Sequence, residues 1–194
     1  MNWTRRSDGA RVLPSARKAS WLRHPPHHFI PSRRGPVILG RLKRRKLGKA
    51  SVERIPSDGL DDSSIKGILR KRNVAVVGAS RDLGKPAGFV PEYLKRHGYR
   101  VLPVNPFAER ILGEKCYSSL SEVPAGVDVV DVFRPSPEAA RVVAEAAAKG
   151  IGVVWLQEGI YSEEAERLAK GAGITLVWNR CMKKEHQRLF GADL

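Results

Sequence analysis

The sequence predicts an α/β fold in which helices cover a parallel, doubly wound, five-stranded sheet, preceded by a disordered basic tail. Five short runs rich in Val and Ile follow residue 73, turn residues come after each run, and helical segments lie between most of them. Runs of this kind are typical of strands buried on both faces. Strands that alternate with helices form parallel sheets through right-handed crossovers.

The order of elements can be read along the chain. A short first helix, capped by Asp61 or Asp62, is expected to run through Leu69. The five strands are expected at residues 74–77, 101–104, 127–133, 151–156 and 174–178. The later helices are expected at residues 87–97, 137–149, 163–170 and 181–190. Gly98 and Gly150 follow the first two of these helices, at positions where glycine commonly ends a helix.

The connection after the second strand departs from this pattern. It contains Gly113, a short extended piece at residues 115–117 and a turn at residues 118–123, and it shows no full helical period. We therefore expect a non-helical excursion between the second and third strands.

Charge divides the 194-residue chain into two unequal parts. Residues 1–56 carry 15 Lys and Arg against two acids, a net +13, whereas residues 57–194 carry 20 against 18, a net +2. The predicted domain, residues 57–194, is therefore nearly neutral, and most of the net charge of +15 belongs to the tail.

The first 56 residues show no sustained period and contain six prolines. Few apolar residues and many like charges cannot offset the entropy lost on ordering, so a disordered tail is predicted. Three interpretations stay open. The segment is a solvated tail, upstream sequence translated from a wrongly assigned start, or an electrostatic arm that alone would contact nucleic acid.

The remaining composition bears on compartment and partners. Two cysteines cannot form a disulfide framework, which indicates a reducing, cytoplasmic setting. No apolar run approaches the roughly 18 residues of a membrane helix, so no membrane partner is expected. His24, His27 and His28 have no cysteine or carboxylate nearby, and no metal site is expected. A monomer and a homodimer are both compatible with the sequence.

In doubly wound sheets, ligands bind beyond the carboxyl ends of the strands, where the strand order reverses. The turn after the first strand reads Gly78-Ala-Ser-Arg-Asp-Leu-Gly84-Lys-Pro86. Gly78 allows a tight turn, Ser80 offers a hydroxyl, and Arg81 and Lys85 add positive charge. Backbone amides next to a helix N-terminus form a natural phosphate site. A plain strand–helix turn is the alternative.

The usual dinucleotide fingerprint is Gly-x-Gly-x-x-Gly, followed after about 20 residues by an acid that binds the ribose. Here Ser80 stands at the second glycine position. The second strand ends in Pro103-Val-Asn105-Pro106, with no acid where the NAD ribose would need one. This pattern favours an adenine nucleotide other than NAD.

Six segments, taken in order, resemble one family. They are residues 74–80, 98–106, 112–117, 127–134, 154–159 and 179–186. The chain resembles the small CoA-binding proteins, which are stand-alone Rossmann-like domains similar to the CoA-binding domain of the succinyl-CoA synthetase alpha subunit and of NDP-forming acyl-CoA synthetases. The resemblance covers about residues 60–192 and excludes the tail. It implies that the ligand is coenzyme A (CoA) or an acyl-CoA.

The resemblance also implies which residues bind the ligand. The turn after the first strand would hold the diphosphate, and the end of the second strand would border the adenosine. Arg134 would pair with a phosphate, and Gln157 and Gly159 would contact the pantetheine arm. The complete expected set is Gly78, Ala79, Ser80, Arg81, Lys85, Pro86, Pro103, Asn105, Pro106, Phe133, Arg134, Gln157 and Gly159.

The sequence shows no catalytic constellation. Asp128 and Asp131 are three apart in a strand and so point to opposite faces, which predicts structural roles for both. Cys181 opens the last helix, where a thiol can be reactive or simply buried, and His186 is off its face. A non-catalytic CoA-binding module is therefore expected. The alternatives are an NAD(P)-type redox module and a CoA-binding subunit of an acyl-CoA ligase that acts with a partner chain.

Overall fold

The structure, a computed structural model, describes residues 55–191. Its strands are β1 (Asn73–Val77), β2 (Arg100–Val104), β3 (Arg110–Ile111), β4 (Glu114–Lys115), β5 (Val129–Val132), β6 (Val153–Leu156) and β7 (Thr175–Val177). Five of them form one parallel sheet in the order β2-β1-β5-β6-β7, which confirms the predicted doubly wound sheet. The chain leaves β1 first toward β2 and later toward β5, so the strand order reverses between β1 and β5.

Five helices connect and cover the strands. They are α1 (Asp62–Leu69), α2 (Pro86–Arg96), α3 (Ser136–Ala148), α4 (Glu163–Ala172) and α5 (Met182–Phe190). The Asp61 side chain caps α1 by accepting from the Ser64 amide at 2.9 Å, and the Ser162 hydroxyl caps α4 by accepting from the Ala165 amide at 3.2 Å. These helices lie within one to two residues of the predicted ones, an ordinary uncertainty for helix ends.

The third predicted strand, residues 127–133, is longer than β5. Asp128 lies just before β5, and its carboxylate accepts from the backbone N–H of Asn73 at 2.9 Å and from the Asn73 side chain at 2.8 Å. Its own amide donates to the Asn73 carbonyl at 2.8 Å, so backbone and side chain of Asp128 both bind the first residue of β1. This contact gives Asp128 the structural role predicted for it.

Each face of the sheet carries its own apolar layer. Val130, Val132, Val154 and Leu156 point to the layer that α3 and α4 cover. Val74, Val76, Val129 and Trp155 point to the layer under α1, α2 and α5. The alternation follows from the two-residue period of a strand. It therefore places Asp131 and Gln157 on the α2 and α5 side.

The excursion between β2 and β5 is non-helical, as predicted, apart from a 3₁₀ turn at Leu120–Glu122. β3 and β4 form a two-residue hairpin whose turn has positive φ at Leu112 and Gly113. The chain then returns to β2, where the Tyr117 amide donates to the Pro103 carbonyl at 2.9 Å. Pro103 thus lies on the outer edge of the sheet, where its missing N–H costs no ladder bond.

The first described residues, Ile55 and Pro56, contact the body of the domain. Ile55 packs against the α3 and α4 layer, and the Pro56 carbonyl accepts from the Trp178 indole at 2.9 Å. Both residues belong to the predicted tail. The rest of that tail, residues 1–54, lies outside the described residues. Among residues 55–191, no helix combines the length and the apolar character that a membrane crossing needs.

A largely buried ion pair fastens this first segment to the start of α5. The Asp58 carboxylate, whose side chain is 1% exposed, accepts from Arg180 Nε and Nη2 at 2.7 Å each. Arg180 also donates to the Leu60 carbonyl at 3.0 Å. Arg180 Nη1 also lies 3.5 Å from Glu185 Oε2, so Asp58 is the nearer of two carboxylates that pair with this guanidinium. Removing one partner of a largely buried pair costs stability.

We expect Asp58→Ala to lower the free energy of unfolding by about 2 kcal/mol, because it removes two charge-assisted hydrogen bonds of a largely buried pair and leaves Arg180 only its longer contact with Glu185 and its bond to Leu60. Glu158→Ala is the matched control. It removes an exposed carboxylate that pairs with Lys184 at 2.6 Å, and it should change stability little. Urea unfolding of both variants measures the difference, and equal losses would contradict the structural role given to Asp58.

Candidate functional site

Gly78 begins the turn that leads from β1 to α2. Its φ is +86°, and its amide donates to the Val104 carbonyl at 3.0 Å. A Cβ at this position would lie 2.8 Å from Arg134 Cδ and 3.2 Å from the Phe133 carbonyl oxygen. The tight turn predicted from the sequence therefore has two causes, the left-handed backbone and the close approach of the β5 end.

The turn is held against the first helical turn of α2. Pro91 lies inside that helix and has no N–H, so the Ala87 carbonyl four residues earlier lacks its usual helical partner. The Ser80 amide donates to that carbonyl instead, at 2.9 Å. A Cβ on Gly88 would lie 2.1 Å from the Asp82 carbonyl oxygen. The loop therefore approaches α2 at a place where only glycine fits.

Sequence reasoning missed Gly88. The glycine that it noted in this turn, Gly84, has ordinary φ and only a side-chain oxygen, Asp82 Oδ1, at 3.1 Å from an added Cβ. A glycine in the first turn of the helix after β1 was the available signal, because close packing of helix on turn needs such a residue.

The turn leaves several backbone donors unused. The amides of Ser80, Asp82, Gly84 and Lys85 are bonded within the turn and its helix. The amides of Arg81, Leu83 and Ala87 make no hydrogen bond within residues 55–191. Unpaired N–H groups at a helix start attract anions. The turn can therefore offer amides to an anionic group.

Positive charge at this turn is unevenly paired. Lys85 lies 3.6 Å from Asp82 in an exposed pair. Arg81 donates only to the Phe107 carbonyl, at 3.3 Å, and makes no ion pair in the described part of the chain. Its guanidinium is thus the cation with the least competition from neighbouring carboxylates.

Asn105 joins the turns after β1 and β2. Its Nδ2 donates to the Ala79 carbonyl at 2.8 Å, and its Oδ1 accepts from the Phe107 amide at 2.8 Å. Ala79 itself is fully buried. Asn105 therefore fixes the shape of the adjoining turns, and its expected contact with an adenosine remains a prediction.

Phe107 follows these residues and is 87% exposed, an unusual state for a phenyl ring. Together with Pro106 it borders two cavities. One, of about 600 Å³, is also lined by Arg81 and Arg110. The other, of about 140 Å³, is also lined by Gly78. Sequence reasoning missed Phe107, although an aromatic residue directly after a strand-end Asn-Pro was visible.

A larger and mainly apolar cavity of about 800 Å³ lies on the α2 and α5 side. Four of the expected residues line it: Lys85, Pro86, Phe133 and Gln157. Phe89 of α2, Ile160 and Cys181 of the α5 start complete most of its apolar wall. A cavity of this kind accommodates an extended, weakly polar ligand segment.

Asp131 is a buried carboxyl behind this cavity. It is completely buried, its Oδ1 accepts from Gln157 Nε2 at 2.7 Å, and its Oδ2 has no hydrogen-bond partner. Burial raises the pKa of Asp131 to about 7, against the smaller opposing effects of the bonds from Gln157 and the Val132 backbone.

The other titratable groups considered for chemistry are separated. His186 is buried, its Nδ1 lies 3.0 Å from the Tyr93 hydroxyl, and burial is the main reason its pKa is lowered. Cys181 lines the large cavity without a bond to His186. Residues 55–191 contain no group of three His, Cys, Asp or Glu side chains suited to a metal ion. The predicted histidines 24, 27 and 28 lie outside those residues.

A comparison with known protein families covers the part of the chain that forms this edge of the sheet. Residues 72–187, more than half of the chain, match the family model described as CoA binding domain. The chain belongs to this family. The resemblance inferred from the six sequence segments is thereby confirmed.

Relatives of this CoA binding domain occur both alone and within longer proteins. The uncharacterized protein YneT of Bacillus subtilis is 36% identical over 64% of this chain and 93% of its own length. The acetate–CoA ligase (ADP-forming) II of Archaeoglobus fulgidus is 38% identical over 66% of this chain but only 19% of its own. A hypothetical protein of Pyrococcus horikoshii has a solved structure that is 45% identical with a TM-score of 0.68, covering 72% of this chain and 99% of that one.

The remaining expected ligand residues of the CoA binding domain are distributed around the edge. Arg134 borders the smallest cavity but donates to both Glu138 oxygens at 2.9 Å, so a phosphate would compete with that carboxylate. Gly159 donates its amide to Asn179 Oδ1 at 2.8 Å. Pro103 is buried within β2, so its side chain does not reach the carboxyl ends of the strands, where the cavities lie. The ligand contacts assigned to these residues remain predictions.

We expect Gly88→Ala to destabilise the domain by about 2 kcal/mol or more, because the added methyl overlaps the backbone of Asp82. Gly67→Ala is the control, since Gly67 lies in α1 with open space around it, and alanine there should stabilise the helix slightly. Thermal unfolding compares the two. Equal stability of the two variants would show that loop and helix are not in close contact.

Proposed function

We propose that this domain binds coenzyme A or an acyl-CoA across the carboxyl ends of β2, β1, β5 and β6. The observation that carries the proposal is the set of three cavities along this edge, which together border the ends of these four strands. An elongated nucleotide with a long apolar arm matches that shape better than a compact metabolite. Membership of the CoA binding domain family supports the same ligand.

The diphosphate fits the turn after β1. Unpaired amides of Arg81, Leu83 and Ala87 and the guanidinium of Arg81 supply donors without breaking any bond of the domain. The N-terminus of α2 adds a favourable field for negative charge. Arg134 is the second cation for a phosphate, at the cost of its bonds to Glu138.

The adenosine fits beside Phe107. The exposed ring offers a face on which a base can stack, and such stacking contributes about 1–3 kcal/mol. The end of β2 lacks the acid that an NAD ribose needs, which disfavours the NAD(P) alternative. The cavity between α2 and α5 then receives the pantetheine arm, with Phe89, Phe133 and Ile160 as its apolar contacts.

The proposal concerns binding and not a reaction. Acetate–CoA ligase activity is named for relatives of which this chain matches a minor part, 19% in Archaeoglobus fulgidus. A relative that matches over 93% of its own length occurs as a stand-alone chain. A role as the CoA-binding part of a ligase with a partner chain remains the alternative.

Isothermal titration of the full chain with CoA, dephospho-CoA, ADP and NAD tests the proposed ligand. We expect CoA to bind more tightly than ADP, because the pantetheine arm adds apolar contacts, and more tightly than NAD. Ligand binding should also raise the melting temperature with ligand concentration. Binding of NAD without binding of CoA would overturn the proposal.

We expect Phe107→Ala to weaken CoA about tenfold while leaving the free energy of unfolding unchanged, because the ring is exposed and packs little. Leu168→Ala is the control, since Leu168 is also exposed, at 42%, but lies on α4. Titration calorimetry with CoA and with pantetheine separates the effects. An unchanged CoA affinity would remove Phe107 from the adenosine site.

A further inference from the structure

Gln157 is a polar side chain in an otherwise apolar part of the large cavity. It follows β6, is only 4% exposed, and lines the cavity together with Phe133 and Ile160. Its Nε2 donates to Asp131 Oδ1 at 2.7 Å. The NH₂ group of the Gln157 amide is therefore hydrogen-bonded within the protein interior.

Asp131 determines which group of the Gln157 amide, the NH₂ or the oxygen, faces the interior. It lies on β5 in register with Val76 on one side and Trp155 on the other, and the same face of the sheet leads to Phe133 and Gln157. An ionised carboxylate only accepts hydrogen bonds. In the structure the NH₂ group of Gln157 faces Asp131, which is the orientation that the ionised carboxylate requires, since the reverse would place two acceptors together.

The other group of the amide is the oxygen. Gln157 Oε1 makes no hydrogen bond within the described part of the chain and, unlike Asp131 Oδ2, keeps some accessible surface, while the side chain lines the cavity. An acceptor at the cavity wall without a protein partner is available to a ligand that donates to it. The pantetheine arm carries two amide N–H groups, which are donors of the required kind.

We propose that Asp131 is a positioning residue, which holds the Gln157 amide so that the cavity selects a ligand donating an N–H to its oxygen. The proposal rests on the proposed binding of CoA. It extends that function by assigning a specificity to the arm of the ligand and a role to a carboxyl that touches no ligand.

The cost of burying Asp131 supports a role beyond packing. Its Oδ2 is unpartnered and fully buried, and an apolar side chain at this strand position would avoid that penalty. The raised pKa of about 7 has the same origin in burial. Each of its neighbours in register, Val76 and Trp155, contributes apolar surface instead.

The test compares CoA with two analogues, each with one pantetheine amide replaced by an ester. An ester keeps the carbonyl but lacks the N–H. We expect wild-type protein to bind one analogue about tenfold more weakly than CoA, as the loss of one hydrogen bond to a nearly buried acceptor predicts. ADP, which lacks the arm, serves as the reference for the nucleotide half.

Two variants then separate positioning from simple packing. Asp131→Leu should remove the amide–ester difference, because Gln157 is free to turn, while ADP affinity stays unchanged. Asp131→Asn keeps an oxygen that can accept from Gln157 Nε2 and should restore the difference. A difference of the same size in wild type and Asp131→Leu would overturn the proposal, as would wild-type binding of CoA and both esters with equal affinity.

A measurement on the unmodified chain covers the case in which Asp131→Leu does not fold. The side-chain NH₂ resonances of Gln157, assigned by their loss in Gln157→Leu, should be shifted from those of a free glutamine amide and exchange slowly with solvent, as expected of an NH₂ group held by a buried carboxylate. Resonances with the shift and rapid exchange of a free glutamine amide would overturn the proposal. Failure of CoA to bind wild type at all would instead contradict the proposed function, so the two failures are distinguishable.

Discussion

The contact between the turn after β1 and the first turn of α2 determines the geometry at the carboxyl ends of the parallel strands, the edge at which ligand binding is proposed. Gly88 lets the Asp82 backbone approach the helix, and Pro91 frees the Ala87 carbonyl for the Ser80 amide. These two features are independent in origin, one a missing Cβ and the other a missing N–H. Together they set which loop amides face outward and where the α2 wall of the large cavity stands.

Buried polarity is concentrated on the side of the sheet that faces α2 and α5. Of the described residues, Asp131, Gln157 and His186 are the buried polar ones, and the side chain of Asp58, which pairs with Arg180 next to α5, is 1% exposed. The opposite layer, under α3 and α4, is built from aliphatic residues and Trp178. Buried polar groups cost stability unless they are paired, so their concentration on one face marks the face on which specificity has been favoured over packing.

Much of this arrangement could be predicted from the sequence, for identifiable reasons. The strands are strongly apolar and β-branched, so β1, β5 and β6 were predictable, and the strand-end rule then indicated the edge at which ligand binding is proposed. The role of Asp131 was not predictable, because it depends on its distance from Gln157, 26 residues further along the chain. Gly88 lies close to Asp82 in the chain, and its local signal was present but was not used. For Phe107, the sequence shows an aromatic residue after Asn-Pro but does not show that its ring is exposed.

The charges at the ligand edge explain how a nearly neutral domain can hold an anionic ligand. Lys85, Arg134 and Lys184 each pair with a carboxylate, whereas Arg81, Arg110 and Lys183, which also line the cavities, make no ion pair within residues 55–191. Exposed pairs contribute little and exchange readily, so they can yield to a phosphate without large loss of stability. In the proposed complex, directional donors, namely the backbone amides and Arg81, would carry most of the recognition. Affinity in such a site depends on the shape of the turn, and hence on its contact with α2, more than on net charge.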